Sequence, residues 1–312
     1  MGGGGGVFHN KSAEDYKELI RRIREKSQDS SFETDVNEEI NQRLGSHNAR
    51  DTRDHQERLG EIIEIIREDV GGTIELRFGG SVSKHTYVDG LSDVDVLILI
   101  DRCELADKSP KAVLKYVKRI LEGKLRNAES VEIGRLAITV KYSDGTEIQL
   151  LPAIRLGDGY KISKAKSNDW SDIIRPDKFA SRLTDVNRTN NGKVVPVIKL
   201  VKSINAQLPE DQQLTGYHIE SLAIAIFRSY PEGQPHTPKA MLKYFFDKAR
   251  EKVKTPIKDR TGQSLHVDDY LGDKDSPDRI KASYNFHRTF NRMKNADEVR
   301  SKEEWVAILD GA

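Results

Sequence analysis

Apolar residues recur along the chain with two different periods, and the switch between them marks out its organisation. Residues 12–26 set Tyr16, Leu19, Ile20 and Ile23 along one side of a 3.6-residue period, which predicts an amphipathic helix. A polar stretch separates it from a mixed helical pattern near 32–44. Residues 51–69 repeat the spacing with Leu59, Ile62, Ile63 and Ile66 inward, and Val70-Gly71-Gly72 ends that helix, as glycine does past a helix C-terminus. The period then shortens to two. TIELRF (73–78), DVDVLILI (93–100), RLAITVKY (135–142) and EIQLLPAI (147–154) read as strands. Asp144-Gly145 between the last two is a strong hairpin signal. An amphipathic helix over 110–123 buries Val113, Leu114, Val117, Ile120 and Leu121. Beyond residue 170 the pattern is helical, near 176–187, 192–207, 215–230, 238–251 and 278–296, with a final turn near 302–309. A turn-rich loop interrupts it over 255–273. The expected fold class is α+β: residues 1–170 form a mixed sheet with helices, residues 171–312 form a helical bundle, and a ligand cleft lies between them.

Composition narrows the function. Hydrophobic residues make up 36% and charged residues 32% of 312 residues, a highly charged globular surface. Lys plus Arg total 51 against 50 Asp plus Glu, a formal charge of +1. A protein that coats duplex nucleic acid through counterion release should be more basic, so strong duplex binding is not expected. The one cysteine, Cys103, allows no disulfide within the chain and fits a reducing, cytoplasmic setting. It reads as a small residue just past a buried strand. No apolar run approaches the ~20 residues of a membrane span, so no membrane partner is expected. MGGGGG lacks the basic start and apolar middle of a signal peptide and reads as a flexible tail.

The chemistry concentrates in RFGGSVSKHTYVDGLSDVDVLILID, residues 77–101. Side chains alternate along a strand, so Asp93, Asp95, Leu97 and Leu99 share one face, with both carboxylates at its start. Charge beside so apolar a strand is costly unless compensated. Two adjacent carboxylates bind hard divalent cations, which complete their shell with water and phosphate. A pair of such ions can activate an attacking oxygen and stabilise a leaving one. Gly79-Gly80-Ser81 complements them. Glycines let backbone N–H groups approach a polyanion, a helix start favours phosphate, and Ser81 adds a hydroxyl. Asp-x-Asp or Gly-Gly-Ser alone is common; a strand–turn–helix–strand with twelve residues from Ser81 to Asp93 is far more specific.

GGSVSKHT…SDVD resembles the signature of the DNA polymerase beta-type nucleotidyltransferases. EIQLLPAI resembles their third catalytic strand. NNGKVVPVIKLVKSIN (190–205) and GYHIESLAIAIF (216–227) resemble the helices that follow the core in cGAS/DncV-like nucleotidyltransferases (CD-NTases), the cyclases of CBASS anti-phage defence. The likeness runs from about 55 to 272. It implies a polymerase beta-like core with a helical domain and magnesium, or manganese in its place, as cofactor. It also implies synthesis of a cyclic oligonucleotide from NTPs, ATP among them, whose product rather than the protein binds a downstream effector. Some relatives have a regulatory protein partner or are conjugated at the C-terminus, where this chain has Gly311-Ala312. Carried over by position, Asp93 and Asp95 hold the metals, and Gly80, Ser81 and Lys199 or Lys202 hold the donor triphosphate. Tyr217 stacks on a base, and Thr215 caps its helix and reaches phosphate.

The pattern departs at the third carboxylate, which in the family stands three residues before the proline of the third strand. Counted from Pro152, that position is Gln149. Glu147 lies two residues earlier on the same face, ~7 Å away. Glu147 can complete the catalytic and metal-binding set with its longer side chain. Alternatively Gln149 contributes an amide oxygen, or the protein binds nucleotide without turnover. Loss of that carboxylate should hurt chemistry more than binding. An enzyme that extends RNA ends is the nearest catalytic rival. Of the rest, His218 and Glu220 read as structural, as do His266, Asp268 and Asp269 of HVDDYLG. Asp144 has its job in the turn, Trp170 and Trp305 read as core, and His85 stands where relatives often have glycine.

Overall fold

The computed structural model describes residues 13–47, 52–78, 81, 84–86, 88, 94–134, 136–164, 167–259, 261 and 265–310. The glycine-rich tail, Gly79-Gly80, Asp93, Gly311-Ala312 and the side chains of Tyr16, Leu19, Ile20 and Ile23 lie outside the described residues. In chain order the elements are α1 (Ala13–His47), α2 (Thr52–Asp69), β1 (Gly72–Phe78), β2 (Val94–Cys103), α3 (Pro110–Lys124), β3 (Ser130–Ile133), β4 (Ile138–Lys141), β5 (Glu147–Leu156) and β6 (Gly159–Ile162). Then come α4 (Pro176–Thr189), α5 (Val194–Asn205), α6 (Gly216–Phe227), α7 (Pro238–Lys252), α8 (Pro277–Glu298) and α9 (Lys302–Asp310).

The strands form one sheet in the order β1-β2-β5-β4-β3, with β6 added beside β5. β2 and β5 run parallel; the other neighbours are antiparallel. The β4–β5 hairpin turns where Asp-Gly stands. Gly145 takes φ +82°, a left-handed conformation that suits glycine, and Asp144 accepts from the Thr146 amide. Alternation assigns the two faces. Val96, Ile98, Ile100, Ile148 and Leu150 are buried against α2 and against the apolar stripe of α3. The opposite face carries a small cluster of Leu97, Leu99, Ala153, Tyr160, Ile162 and Ile174.

The later helices pack into a second large core around Trp305, Phe245 and Phe227. α1 joins them rather than the sheet, through Val36, Ile40 and Leu44. It is one helix of 35 residues, where the polar stretch 27–31 suggested a break. SQDSS contains neither Gly nor Pro, so it removes the apolar face without removing the helix. Thr34 and Asn37 bond back to Ser30 and Glu33 carbonyls, and Asp29 pairs with Arg300. Lys239, buried at the start of α7, reaches both Glu33 and Asp297 and fixes the helix lengthwise. Strands β3 and β6, of four residues each, also went unseen, and β4 begins at Ile138 rather than 135. Trp305 is core, whereas Trp170 is half-buried with its indole N–H donating to the Lys108 carbonyl at 3.1 Å. Among the described residues no helix is long and apolar enough to cross a membrane.

Candidate functional site: the open face of the sheet

Asp95 stands on the sheet face away from α2 and α3, just before Leu97 and Leu99 enter their apolar cluster. Its parallel partner across β2–β5 is Gln149, and Gln149 in turn pairs with Thr139 on β4. Glu147 is one same-face position earlier, opposite Lys141, whose ammonium lies 3.8 Å from it and 3.4 Å from Glu132. The row beside Asp95 is therefore filled by an amide, and the nearest carboxylate on β5 sits one step along, beside a half-exposed lysine.

Asp95 and Glu147 bring carboxylates to this face and Gln149 an amide oxygen. That chemistry suits Mg²⁺ or Mn²⁺ rather than a thiolate- or imidazole-seeking ion. Among the described residues no group of three or more His, Cys, Asp and Glu is gathered to hold a metal. Asp93, the other half of the aspartate pair, is outside them.

Ser81 is helical, and His85, four residues on, is left-handed. His85 has φ 58°, and the Thr86 amide donates 3.0 Å to the Ser81 carbonyl, the six-to-one bond of a Schellman end. This explains why glycine would fit at 85. Lys84 and Thr86 flank it and both reach Glu220, a buried carboxylate on α6.

Lys202 is buried on α5. It donates to Glu220 Oε1 at 2.9 Å, to the Thr86 carbonyl at 3.0 Å and to Thr86 Oγ1 at 3.3 Å. Burial pushes its ammonium pKa down, against the pull of Glu220 and of Asp95. Asp95 on the sheet face is near enough to Lys202 to favour its charged form. Burial also raises the Glu220 carboxyl, but Lys84 and Lys202 outweigh it and hold it below the ordinary range. Lys199, one turn before Lys202, is part-buried and lowered by burial and by Lys202.

α6 begins at Thr215, whose hydroxyl accepts from the His218 amide at 3.3 Å and so serves as N-cap. Tyr217 leans on Phe179 with centroids 4.7 Å apart, and the Lys84 ammonium is 5.6 Å from its ring. Its hydroxyl donates to Asp259 at 2.8 Å, and Asp259 also accepts from the amide and hydroxyl of Thr261. Burial pushes the Tyr217 phenol up, so it stays a neutral donor. Sequence reasoning missed Lys84, Phe179, Asp259 and Thr261. Only Lys84, three residues past the glycine-serine turn, carried a local signal.

The remaining candidates have structural partners. Arg279 pairs with Asp268 at 2.7 Å, His218 packs beside them, and His266 bonds Asp269. Cys103 ends β2, donates to the Ile100 carbonyl, and burial raises its thiol.

No protein-family model matches the sequence, and no curated protein matches it. Solved structures match its fold. CdnC of E. coli MS115-1 with ATP has a TM-score of 0.66 at 15% identity, covering 88% of this chain and 97% of that one. The same CdnC in its complex with HORMA-deltaN gives 0.62 at 16%, covering 84% and 90%. DncV of Vibrio cholerae, a cyclic AMP-GMP synthase holding a linear pppA(3′,5′)pG intermediate, gives 0.62 at 14%, covering 97% and 91%. The chain has the nucleotidyltransferase fold of the CD-NTases, an α+β mixed sheet joined to helices.

Proposed function

We propose that the protein is a divalent-metal-dependent nucleotidyltransferase that joins NTPs into a cyclic oligonucleotide. The observation that carries the reading is Asp95 on the sheet face away from α2 and α3, with the Lys202 ammonium near enough to feel its charge, in a fold shared nearly end to end with DncV. Asp93, Asp95 and Glu147 would hold the cation, which supplies Lewis-acid charge at the reacting phosphate. Gly80 and Ser81 cradle the donor phosphates together with Lys199 or Lys202, the latter also bonded to Glu220 and Thr86. Thr215 lies at the α6 N-terminus, where an anion is favoured, and Tyr217 offers a ring held in place by Phe179 and Asp259. A ribose hydroxyl forms a bond to the α-phosphorus of a second NTP, the α–β anhydride breaks, and pyrophosphate leaves with its electron pair. In this reading Glu147 takes the hydroxyl proton.

By the same likeness the setting is cytoplasmic anti-phage signalling, with ATP among the substrates, an effector that binds the product, and a regulatory protein of the kind complexed with CdnC. A second reading, a nucleotide-binding sensor without turnover, is favoured by one observation: Gln149, not a carboxylate, is in register with Asp95.

Purified protein incubated with four NTPs and Mg²⁺ or Mn²⁺ should release pyrophosphate and leave a phosphatase-resistant product. Lengthening of an added RNA would instead favour the RNA-extending rival. NTP binding without pyrophosphate release would favour the sensor.

A further inference from the structure

Glu220 is 1% exposed and sits where three elements meet: its own helix α6, α5 bearing Lys202, and the segment trailing the glycine-serine turn. One oxygen takes the Lys84 ammonium. The other takes the Thr86 hydroxyl and the Lys202 ammonium. Thr86 is fully buried, and the side chains of Lys84 and Lys202 are 10% and 8% exposed. Two buried ammonium ions share a single carboxylate, so the cluster carries a surplus positive charge, with Asp95 within its field. Ion pairs at this depth are weak evidence for stability, because desolvation offsets the attraction. Their geometry is nonetheless well determined.

Both residues flanking His85 are fastened to the same carboxylate. The Lys84 ammonium is further confined by the rings of Phe179 and Tyr217, at 5.1 and 5.6 Å. Gly216 completes the enclosure, since a Cβ there would meet Lys202 Cε at 3.3 Å and Nζ at 3.4 Å. Lys84 and Thr86, just past Ser81, are thus held to the helical side of the site.

We propose that Glu220 is a positioning residue for nucleotidyl transfer: through Lys84, Thr86 and Lys202 it sets where Ser81 stands relative to Asp95. This rests on the nucleotidyltransferase reading above. Glu220 is buried among Lys84, Thr86 and Lys202 and acts on the reaction through them. It aligns them, and small misalignments of reacting groups cost rate out of proportion to binding.

Glu220→Gln keeps the shape and a bond to Thr86 while removing the charge the two lysines share. The expected result is a kcat at least ten-fold lower. Affinity for a non-hydrolysable ATP analogue should be tighter, because the uncompensated ammonium ions attract the triphosphate. A simple loss of folded fraction would lower kcat but would not tighten binding. Glu220→Asp should recover part of the rate. In a kinetic double-mutant cycle, Lys84→Met should cost far less in the Glu220→Gln background than in the wild type, because both act through one contact. Unchanged kcat in Glu220→Gln, or strict additivity with Lys84→Met, overturns the proposal while leaving the enzyme reading intact. A wild type that releases no pyrophosphate, whether or not it binds the analogue, overturns that reading, and this inference with it.

Discussion

Arg279 is the buried charge whose removal the structure prices most directly. It is 0% exposed and donates to five acceptors: the Gly272, Asp273, Val253 and Asp268 carbonyls at 3.0–3.1 Å, and Asp268 Oδ2 at 2.7 Å. Asp268 is equally buried and also accepts from the Ile257 amide. Arg279→Met keeps much of the apolar stem but leaves a carboxylate without its guanidinium. Breaking a buried pair from one side costs about 3–5 kcal/mol, mostly the cost of the orphaned charge. At an m value of ~3 kcal/mol/M the urea midpoint falls by roughly 1–1.7 M. Arg279→Met with Asp268→Asn removes the orphan as well, so the double variant should be more stable than Arg279→Met alone. The same network reaches the site: Tyr270, in the loop Arg279 fastens, accepts from the Thr215 amide at 3.1 Å and bonds His218 Nδ1 at 2.9 Å. A loss below 1 kcal/mol, or a double variant whose costs simply add, would refute this account of how that loop is held.

Two further outcomes follow from particular residues. Burial lowers the His218 pKa to about 4, against the help of Asp268, so the folded state binds the proton less tightly than the unfolded chain. Stability is therefore full above pH 6.5 and falls as pH drops from 6.5 through 4, by up to about 3 kcal/mol. Urea titrations across that window should show the slope, and His218→Gln should flatten it; an equal slope in the variant contradicts the assignment. His85 holds a left-handed backbone that costs a non-glycine residue roughly 1–2 kcal/mol, while glycine adds ~0.5–1 kcal/mol of unfolded-chain entropy. His85→Gly should thus stabilise the protein by up to about 1 kcal/mol in chemical denaturation. A loss beyond 0.5 kcal/mol would mean the imidazole makes a contact that outweighs the strain.

Periodicity revealed most of the elements because their apolar stripes are long. Val113 to Leu121 of α3 is legible at sight, and so are the alternating strands β2 and β5. Four-residue strands such as Ser130–Ile133, which buries only Val131, carry too little pattern to read. The middle of α1 shows no apolar face at all, and its partners Lys239 and Arg300 are more than 200 residues away. The site was legible where its residues are neighbours in sequence, as at Ser81 and Asp95. Glu220 read as merely structural because the contacts that give it a larger part come from Lys84 and Thr86, over 130 residues earlier. Counting back from Pro152 locates the position of the family's third carboxylate at Gln149, but only strand register sets Gln149 beside Asp95 and Glu147 beside Lys141.

The most direct test of the central claim is product formation by wild type and Asp95→Asn, side by side, from all four NTPs with Mg²⁺ or Mn²⁺. Phosphatase treatment and mass spectrometry then identify what survives, with circular dichroism confirming that both proteins are folded. The account predicts a phosphatase-resistant cyclic oligonucleotide from the wild type, and a loss of at least a hundred-fold in the variant. Equal product from Asp95→Asn would move the chemistry off this sheet face and contradict the account.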